Sequence, residues 1–349
     1  MSELLVVGGG PVGLAAAIEA RLEGMSVSII EPRIGVIDKA CGESLLPGAL
    51  PMLQRLGVEP QGEPLRGIAF HGGGLDDEPW RVEHDFERGV AIGLRRTVLH
   101  ALLTNRAEEL GIVRGYGRLQ GLTQDDYAVT AFTDLGETIR AKWLIGCDGL
   151  RSATARLAGL SDASRRRVER FGVRRHFRVE PWSDLIEVHY GPDAEVTVVP
   201  VGPNLVDVTV LGPRGIGYNA AMRATPTLGE QLMGAEAVTE PRGAGPFPQR
   251  TTARTAGRVL LAGDASGYVD ALTTEGLRVG FAQAKAAIAA IRRGRPSDYE
   301  REWHRVTRPV NIITASLVGL GSSGLRSGIV PTAVRAPRVF GAVMERLAR

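Results

Sequence analysis

Three glycines at fixed spacing, Gly8-x-Gly10-x-x-Gly13, stand between the apolar run LLVV (4–7) and the alanine-rich stretch LAAAIEA (14–20). Such a pattern brings a nucleotide's pyrophosphate against bare backbone. Gly8 permits the tight turn, Gly10 the close approach, and Gly13 the packing of the next helix on the strand. The helix N-terminus offers free N–H groups and a partial positive charge. Glu31 ends the following strand, where a carboxylate accepts hydrogen bonds from ribose hydroxyls and disfavours a 2′-phosphate. A glycine turn without a ligand is the plainer reading of the triplet alone; the βαβ setting and Glu31 favour a nucleotide, NAD or FAD rather than NADP. A second group separates those two. RVLLAGDASGYVDALTTEGL (258–277) puts Gly263-Asp264 at a strand end and a helix start just after Glu275-Gly276. By itself Asp264 is a turn residue or helix cap. Paired with the glycine loop, it suits the sugar-alcohol hydroxyls of a flavin, and the positive helix end suits the flavin N1–C2=O edge, where reduction places charge.

Those residues need a scaffold, and the periodicities predict one. Residues 4–7 read as a buried strand, 11–23 as a helix with Leu14, Ile18 and Leu22 at four-residue spacing, and VSII (27–30) as the second strand of a βαβ unit. A helix follows Arg96, with Leu99, Leu103 and Leu110 on one side. WLIGCDG (143–149) is a strand running into a turn, and GLRVGFAQAKAAIAAIRR (276–293) is a helix. Residues 172–211 differ: they alternate, are rich in Val and are broken by Gly, Pro and Asn, as in an antiparallel sheet. TEPRGAGPFP (239–248) reads as a return linker, and HGGG and DDEP as turns between short strands of segment 66–92. The expected fold is α/β. A Rossmann-like nucleotide-binding domain (1–65, 93–162 and 250–310) carries an inserted antiparallel β-sheet domain (163–249, joined by 66–92) and a C-terminal helical tail (311–349).

Composition narrows the function classes. The chain has 349 residues, 44% hydrophobic and 23% charged, as in ordinary globular proteins. Its formal charge is only +3 and its aromatic content 5%, too little of either for nucleic-acid binding. Arg165-Arg166-Arg167 reads as a solvated face. Cys41 and Cys147 are far apart and no Cys/His spacing suits a metal, so neither a disulfide framework nor a metal is expected. No signal peptide is visible, and VNIITASLVGL (310–320) is too short to span a bilayer, so a cytoplasmic location is expected. The tail mixes apolar residues with Arg. It reads as packed helices, with peripheral membrane contact as the alternative.

Three motifs in order, GGGPVG, CDGLRSATAR (147–156) and AGDASGYVDALTTEG (262–276), resemble those of FAD-dependent oxidoreductases of the aromatic-hydroxylase superfamily. The chain looks closest to the branch of geranylgeranyl reductases and flavin-dependent halogenases. The resemblance implies that Gly8, Gly10, Pro11, Gly13, Glu31 and Arg33 bind the ADP half of FAD. It implies that Arg96 contacts the cofactor, that Gly263 and Asp264 bind the ribityl chain, and that Glu275 and Gly276 lie at the isoalloxazine. Asp148 is similar to a residue serving both FAD and a transient NADH or NADPH, although the accompanying Arg156 stands one place late. Gly42-Glu43-Ser44 resembles a halogenase segment beside the flavin. Cys41-Gly42 resembles a reductase pair whose thiol lies near the isoalloxazine. A free cysteine is more often a small buried residue, yet Cys41 is the one catalytic candidate.

The departures matter too. Halogenases carry W-x-W-x-I-P and isoprenoid reductases Y-x-W-x-F-P; here Glu195-Val196-Thr197-Val198-Val199-Pro200 keeps the proline and loses the aromatics. No second strand–glycine–helix unit is apparent, so NADH or NADPH would bind transiently, or a protein would donate electrons. His176, His189, Tyr190 and Pro200 are the expected pocket residues of the β-rich domain. The leading expectation is a monooxygenase that hydroxylates a hydrophobic aromatic or polyketide-like small molecule through a flavin hydroperoxide. The alternative is a reductase of C=C bonds, followed by a non-catalytic binder and a halogenase.

Overall fold

Apolar runs without alternation, such as LLVV (4–7), bury on both faces, which a parallel sheet between two layers allows. The computed structural model describes residues 1–73, 79–162, 164 and 169–349, and it places this run at the centre of the first sheet. Strands Val259–Leu261, Thr138–Gly146, Ser2–Val7, Val27–Glu31 and Val113–Tyr116 lie side by side in that order, all parallel. Leu4 and Val6 meet the helices Pro11–Leu22, Arg96–Glu109 and Gly276–Arg292 in one core through Leu14, Ile18, Leu99, Leu103, Phe281 and Ile288. Leu5 and Val7 face the other way, onto a meander formed by Leu119–Gln124 and Val129–Thr133.

The alternating segment forms a second sheet in the order Glu236–Ala237, Arg170–Arg178, Leu205–Pro213, Glu195–Gly202, Leu185–Tyr190, Gly67–Gly73, Pro79–Asp85. Its junctions are antiparallel except one. Gly67–Gly73 runs parallel to Leu185–Tyr190, because it arrives from a distant part of the chain rather than through a hairpin. TEPRGAGPFP is no linker: Arg242–Phe247 is a strand paired with Arg170–Arg178, and its place at the sheet edge tolerates proline. His71 to Gly73 of the HGGG stretch are strand as well. Gly74 to Glu78, and with them most of the expected turns, lie outside the described residues, as does Arg165-Arg166-Arg167.

Period-two alternation assigns the faces. Val196, Val198, Val206, Val208 and Val210 pack under the short helices Tyr218–Arg223 and Pro226–Gln231. Gly172, Arg174 and His176, with Asp207, Thr209 and Leu211, turn toward the first domain. The last helices, Asp298–Gly321, Ile329–Arg335 and Pro337–Ala348, close over the rest of this inner face. Val310, Val330, Phe340, Met344 and Leu347 share a core there with Phe70, Val82 and Val188. The first of these helices runs through residue 310, so the boundary expected there falls inside a continuous helix. Among the described residues no helix is long and apolar enough to cross a membrane.

Candidate functional site

The glycine loop is shaped by what cannot fit beside it. Gly8 has φ +106°, and a Cβ there would lie 2.5 Å from the Cys147 carbonyl oxygen; a Cβ on Gly13 would lie 1.8 Å from the Gly8 oxygen. Gly10 faces open space, with Arg96 Nη2 the nearest atom at 4.0 Å. Helix Pro11–Leu22 begins there with no side-chain cap, so its first N–H groups are free for an anion. Around this point the Nε atoms of Arg96 and Arg114, and Nη2 of Arg114, are buried without a hydrogen-bond partner among the described residues. Unpaired buried guanidinium nitrogens beside a bare backbone turn fit the pyrophosphate of FAD.

Glu31 holds the loop in place. Its Oε2 accepts from the Gly9 N–H (2.8 Å), and its Oε1 accepts from the Arg33 N–H (3.1 Å) and Nε (2.7 Å). Burial opposes ionisation of this carboxyl, but the Arg33 guanidinium and the two backbone N–H groups outweigh it and hold it below the usual range. His100, which the sequence reading passed over, supports the same loop: Nε2 donates to the Gly9 carbonyl (2.9 Å) while Nδ1 faces the Ile37 N–H (3.4 Å). Burial keeps this ring neutral, which one tautomer satisfies. A lone histidine on a helix gives no sequence signal of that role. Neither does Arg114, which reaches Gly9 from a strand paired with Val27–Glu31.

From the loop a cleft runs between the two sheets, past Cys41–Ser44 to the turn Gly263–Ser266 and the start of helix Gly276–Arg292. Pro11, Arg33, Arg96, Gly263, Asp264 and Gly276 line it. Gly263 has φ +63°, and its N–H donates to Gln283 Oε1 (2.7 Å), which fixes the turn. Asp264 stands 3.9 Å from Lys39 Nζ and is otherwise free to accept ribityl hydroxyls. The helix starting at Gly276 has no side-chain cap. Glu275, expected at the cofactor, turns away: it is buried, paired with Arg278, and pushed up to about 7 by that burial. Asp148 borders the cleft, but its carboxylate is spent on the next turn, accepting from Ser152 Oγ and from Thr154 N (2.9 Å) and Oγ1 (3.1 Å). Arg156 is exposed and does not line the cleft.

The middle of the cleft rests on a buried ion network. Glu43, at φ +49°, accepts from the Arg96 N–H (3.0 Å) and Arg174 Nη1 (2.9 Å), and its Oε2 lies 2.6 Å from His176 Nε2. Asp207, beneath them, is pushed well above the usual carboxylate range by burial and by the Glu43 charge. Glu43 therefore ties the Cys41–Ser44 segment to the second sheet. Ser44 and Cys41 border the cleft, Ser44 Oγ without a partner among the described residues.

The pocket residues expected from the β-rich domain are not the ones facing the cleft. Gly172, Thr209, Leu211, Ala244 and Phe247 form that wall. His176 lies one layer below, under Glu43. His189 is on the outer face, because odd positions of Leu185–Tyr190 point away from the first domain. Tyr190 faces inward but sits under Phe70 and beside Arg326, walled off by the tail helices. Pro200 does not line the cleft; its carbonyl oxygen packs against Gly93. Glu195, where the related signatures have an aromatic residue, is fully buried between Arg170 (2.5 Å) and Arg326 (2.7 Å), and Arg170 also binds Asp270 (2.9 Å). An ion network thus replaces aromatic packing beside the cleft.

Comparison with known proteins agrees with this geometry. Residues 1–292 match the family model described as an FAD binding domain. The chain is similar to the rifampicin monooxygenase of Streptomyces venezuelae, 30% identical over 46% of this chain, and spans only 34% of that protein's length. It is 29% identical to the menaquinone reductase of Mycolicibacterium smegmatis over 86% of this chain and 79% of that one. The solved structure of CmlS, a flavin-dependent halogenase, shares the fold with a TM-score of 0.81 at 21% identity, over 99% of this chain and 72% of that one. With its glycine cradle, orphaned arginines and matching family model, the chain belongs to the FAD-binding domain family and is an FAD-binding flavoprotein oxidoreductase.

Proposed function

We propose that this protein is an FAD-dependent monooxygenase that hydroxylates a hydrophobic aromatic or polyketide-like small molecule, with NADH or NADPH as a transient electron donor. The observation that carries this reading is the wall opposite the cofactor. Gly172, Leu211, Ala244 and Phe247 offer short apolar surface, and the Tyr268 hydroxyl beside them stays protonated because burial pushes it well above its ordinary value. Such a wall excludes water from the reacting centre. Bound FAD, once reduced, supplies the electrons that activate O₂. The Phe247 and Tyr268 rings, edge to face with centroids 5.4 Å apart, give a flat substrate an aromatic corner to pack against. The free N–H groups at Gly276 steady negative charge on the cofactor.

A second reading, reduction of a C=C bond, is favoured by the menaquinone reductase match along most of both chains and by two proton donors, Cys41 and Tyr268, near each other on the cleft. One experiment divides them. Turnover with NADH or NADPH, ¹⁸O₂ and a panel of hydrophobic phenols and quinones is expected to give a product heavier by one ¹⁸O atom. A gain of two hydrogens, undiminished without oxygen, would establish the reductase instead.

A further inference from the structure

The parallel junction in the second sheet brings His71 to Glu187 and His189, from which more than a hundred residues of chain separate it. His71 and His189 are direct cross-strand partners, and Glu187 stands two residues before His189, so all three project from the outer face. The two imidazole rings stack with centroids 4.4 Å apart. His189 Nε2 lies 3.1 Å from Glu187 Oε2, and His71 Nε2 lies 3.9 Å from Glu187 Oε1. Glu187 and His189 are buried, while the His71 side chain is 23% exposed. Two ring nitrogens, His71 Nε2 and His189 Nδ1, are buried with no hydrogen-bond partner among the described residues. Nothing in the flavin cleft uses any of the three.

We propose that His71, Glu187 and His189 form a zinc site. Two ligands of a tetrahedral Zn²⁺ stand about 3.4 Å apart, and the separations from Glu187 straddle that value, so all three reach one ion once the two rings, 14° from parallel, tilt toward each other. Two imidazoles and a carboxylate leave a fourth position for water. Trp182 Nε1 donates to Glu187 Oε2 (3.1 Å) and fixes the carboxylate, as outer partners of metal ligands do. The nearest cation on this face, Arg81, is the cross-strand neighbour of His71 and is engaged by Glu83 (2.5 Å). The other group of three potential ligands among the described residues, Glu43, His176 and Asp207, has one histidine and two carboxylates, and there Arg174 Nη1 already sits 2.9 Å from Glu43 and supplies the positive charge. An ion on the outer face would clip the strand Gly67–Gly73 to Leu185–Tyr190, and so fasten together segments drawn from distant parts of the chain.

The test uses FAD-loaded protein stripped with a chelator. Zn²⁺ followed by calorimetry is expected to bind at one equivalent and to raise the melting temperature, leaving the flavin absorption unchanged. Co²⁺ in its place should give the visible bands of a four-coordinate nitrogen/oxygen site without a thiolate charge-transfer band. His71→Ala and His189→Gln should each weaken Zn²⁺ binding by at least about 10-fold, since even outer partners of metal ligands are worth that much. Should either variant fail to fold, X-ray absorption of the zinc-loaded wild type decides, with two imidazoles and no sulfur expected. Absence of saturable binding, sulfur in the ligand shell, or affinity unmoved by His71→Ala would overturn the proposal.

Discussion

Gly13→Ala will give a protein that purifies without FAD. The added Cβ would sit 1.8 Å from the Gly8 carbonyl oxygen and 3.2 Å from Cys147 Cβ. Gly8 is held in place: its N–H is bonded to the Ile30 carbonyl (2.8 Å), and even a Cβ on it would strike the Cys147 backbone. The helix Pro11–Leu22 must therefore lift from the sheet, carrying away the N–H groups that receive the pyrophosphate. Overpacking of this kind costs about 1–3 kcal/mol in stability, and the displaced anion site costs the cofactor. The ratio of flavin to protein absorbance and a urea melt measure the two effects. Gly229→Ala is the control, since a Cβ there meets nothing within 4 Å and φ is not in the left-handed region; it should keep full flavin.

Arg170→Met is expected to destabilise the protein by about 3–5 kcal/mol, because it strands buried charge. Glu195 keeps Arg326, but Asp270 loses its cation and retains only the Leu272 N–H at 3.1 Å. The Asp270 carboxyl is already pushed up by burial, with Arg170 pulling the other way, so its removal raises the folded value further. A carboxyl with a folded value above its unfolded one adds stability that is complete below the unfolded value and is lost as the pH rises through the folded value. The deficit of Arg170→Met should accordingly be larger in urea melts at about pH 8 than at about pH 5. Adding Asp270→Asn should recover part of it. Equal deficits at both pH values would show that the ion network is not what Arg170 supports.

The loop and turns that line the cleft on the side of the first sheet are legible in the sequence because they are local. Gly8, Gly10, Gly13 and Glu31 lie within one βαβ unit, and Asp264 and Gly276 flank a strand end and a helix start, so spacing alone places them. The opposite side depends on pairing between strands far apart in the chain. His176 and His189 are the same residue type on similar strands, yet one supports Glu43 and the other faces outward beside His71. Period-two alternation says that neighbours oppose each other but not which face meets the first domain. The wall itself is built from Gly172, Ala244 and Leu211, whose composition carries no functional signal. Phe247 was hidden in a Pro/Gly-rich stretch that reads as a linker and is an edge strand. Glu195 shows the converse: the missing aromatics are visible in the sequence, but the arginines that neutralise what replaced them come from positions 170 and 326.

The account rests on the reactive end of FAD lying between Cys41–Gly42 and the helix that starts at Gly276. The two cysteines make this measurable by alkylation and mass spectrometry. Both cysteines are half-buried and border the cleft, but burial and the neighbouring Asp148 charge push the Cys147 thiol up, which leaves it the less reactive of the two. Iodoacetamide should label Cys41 in the apoprotein and spare Cys147. One equivalent of FAD should then slow the labelling of Cys41 at least about 10-fold while Cys147 stays unlabelled. An unchanged rate at Cys41 in protein that holds stoichiometric FAD would place the isoalloxazine elsewhere and contradict the account.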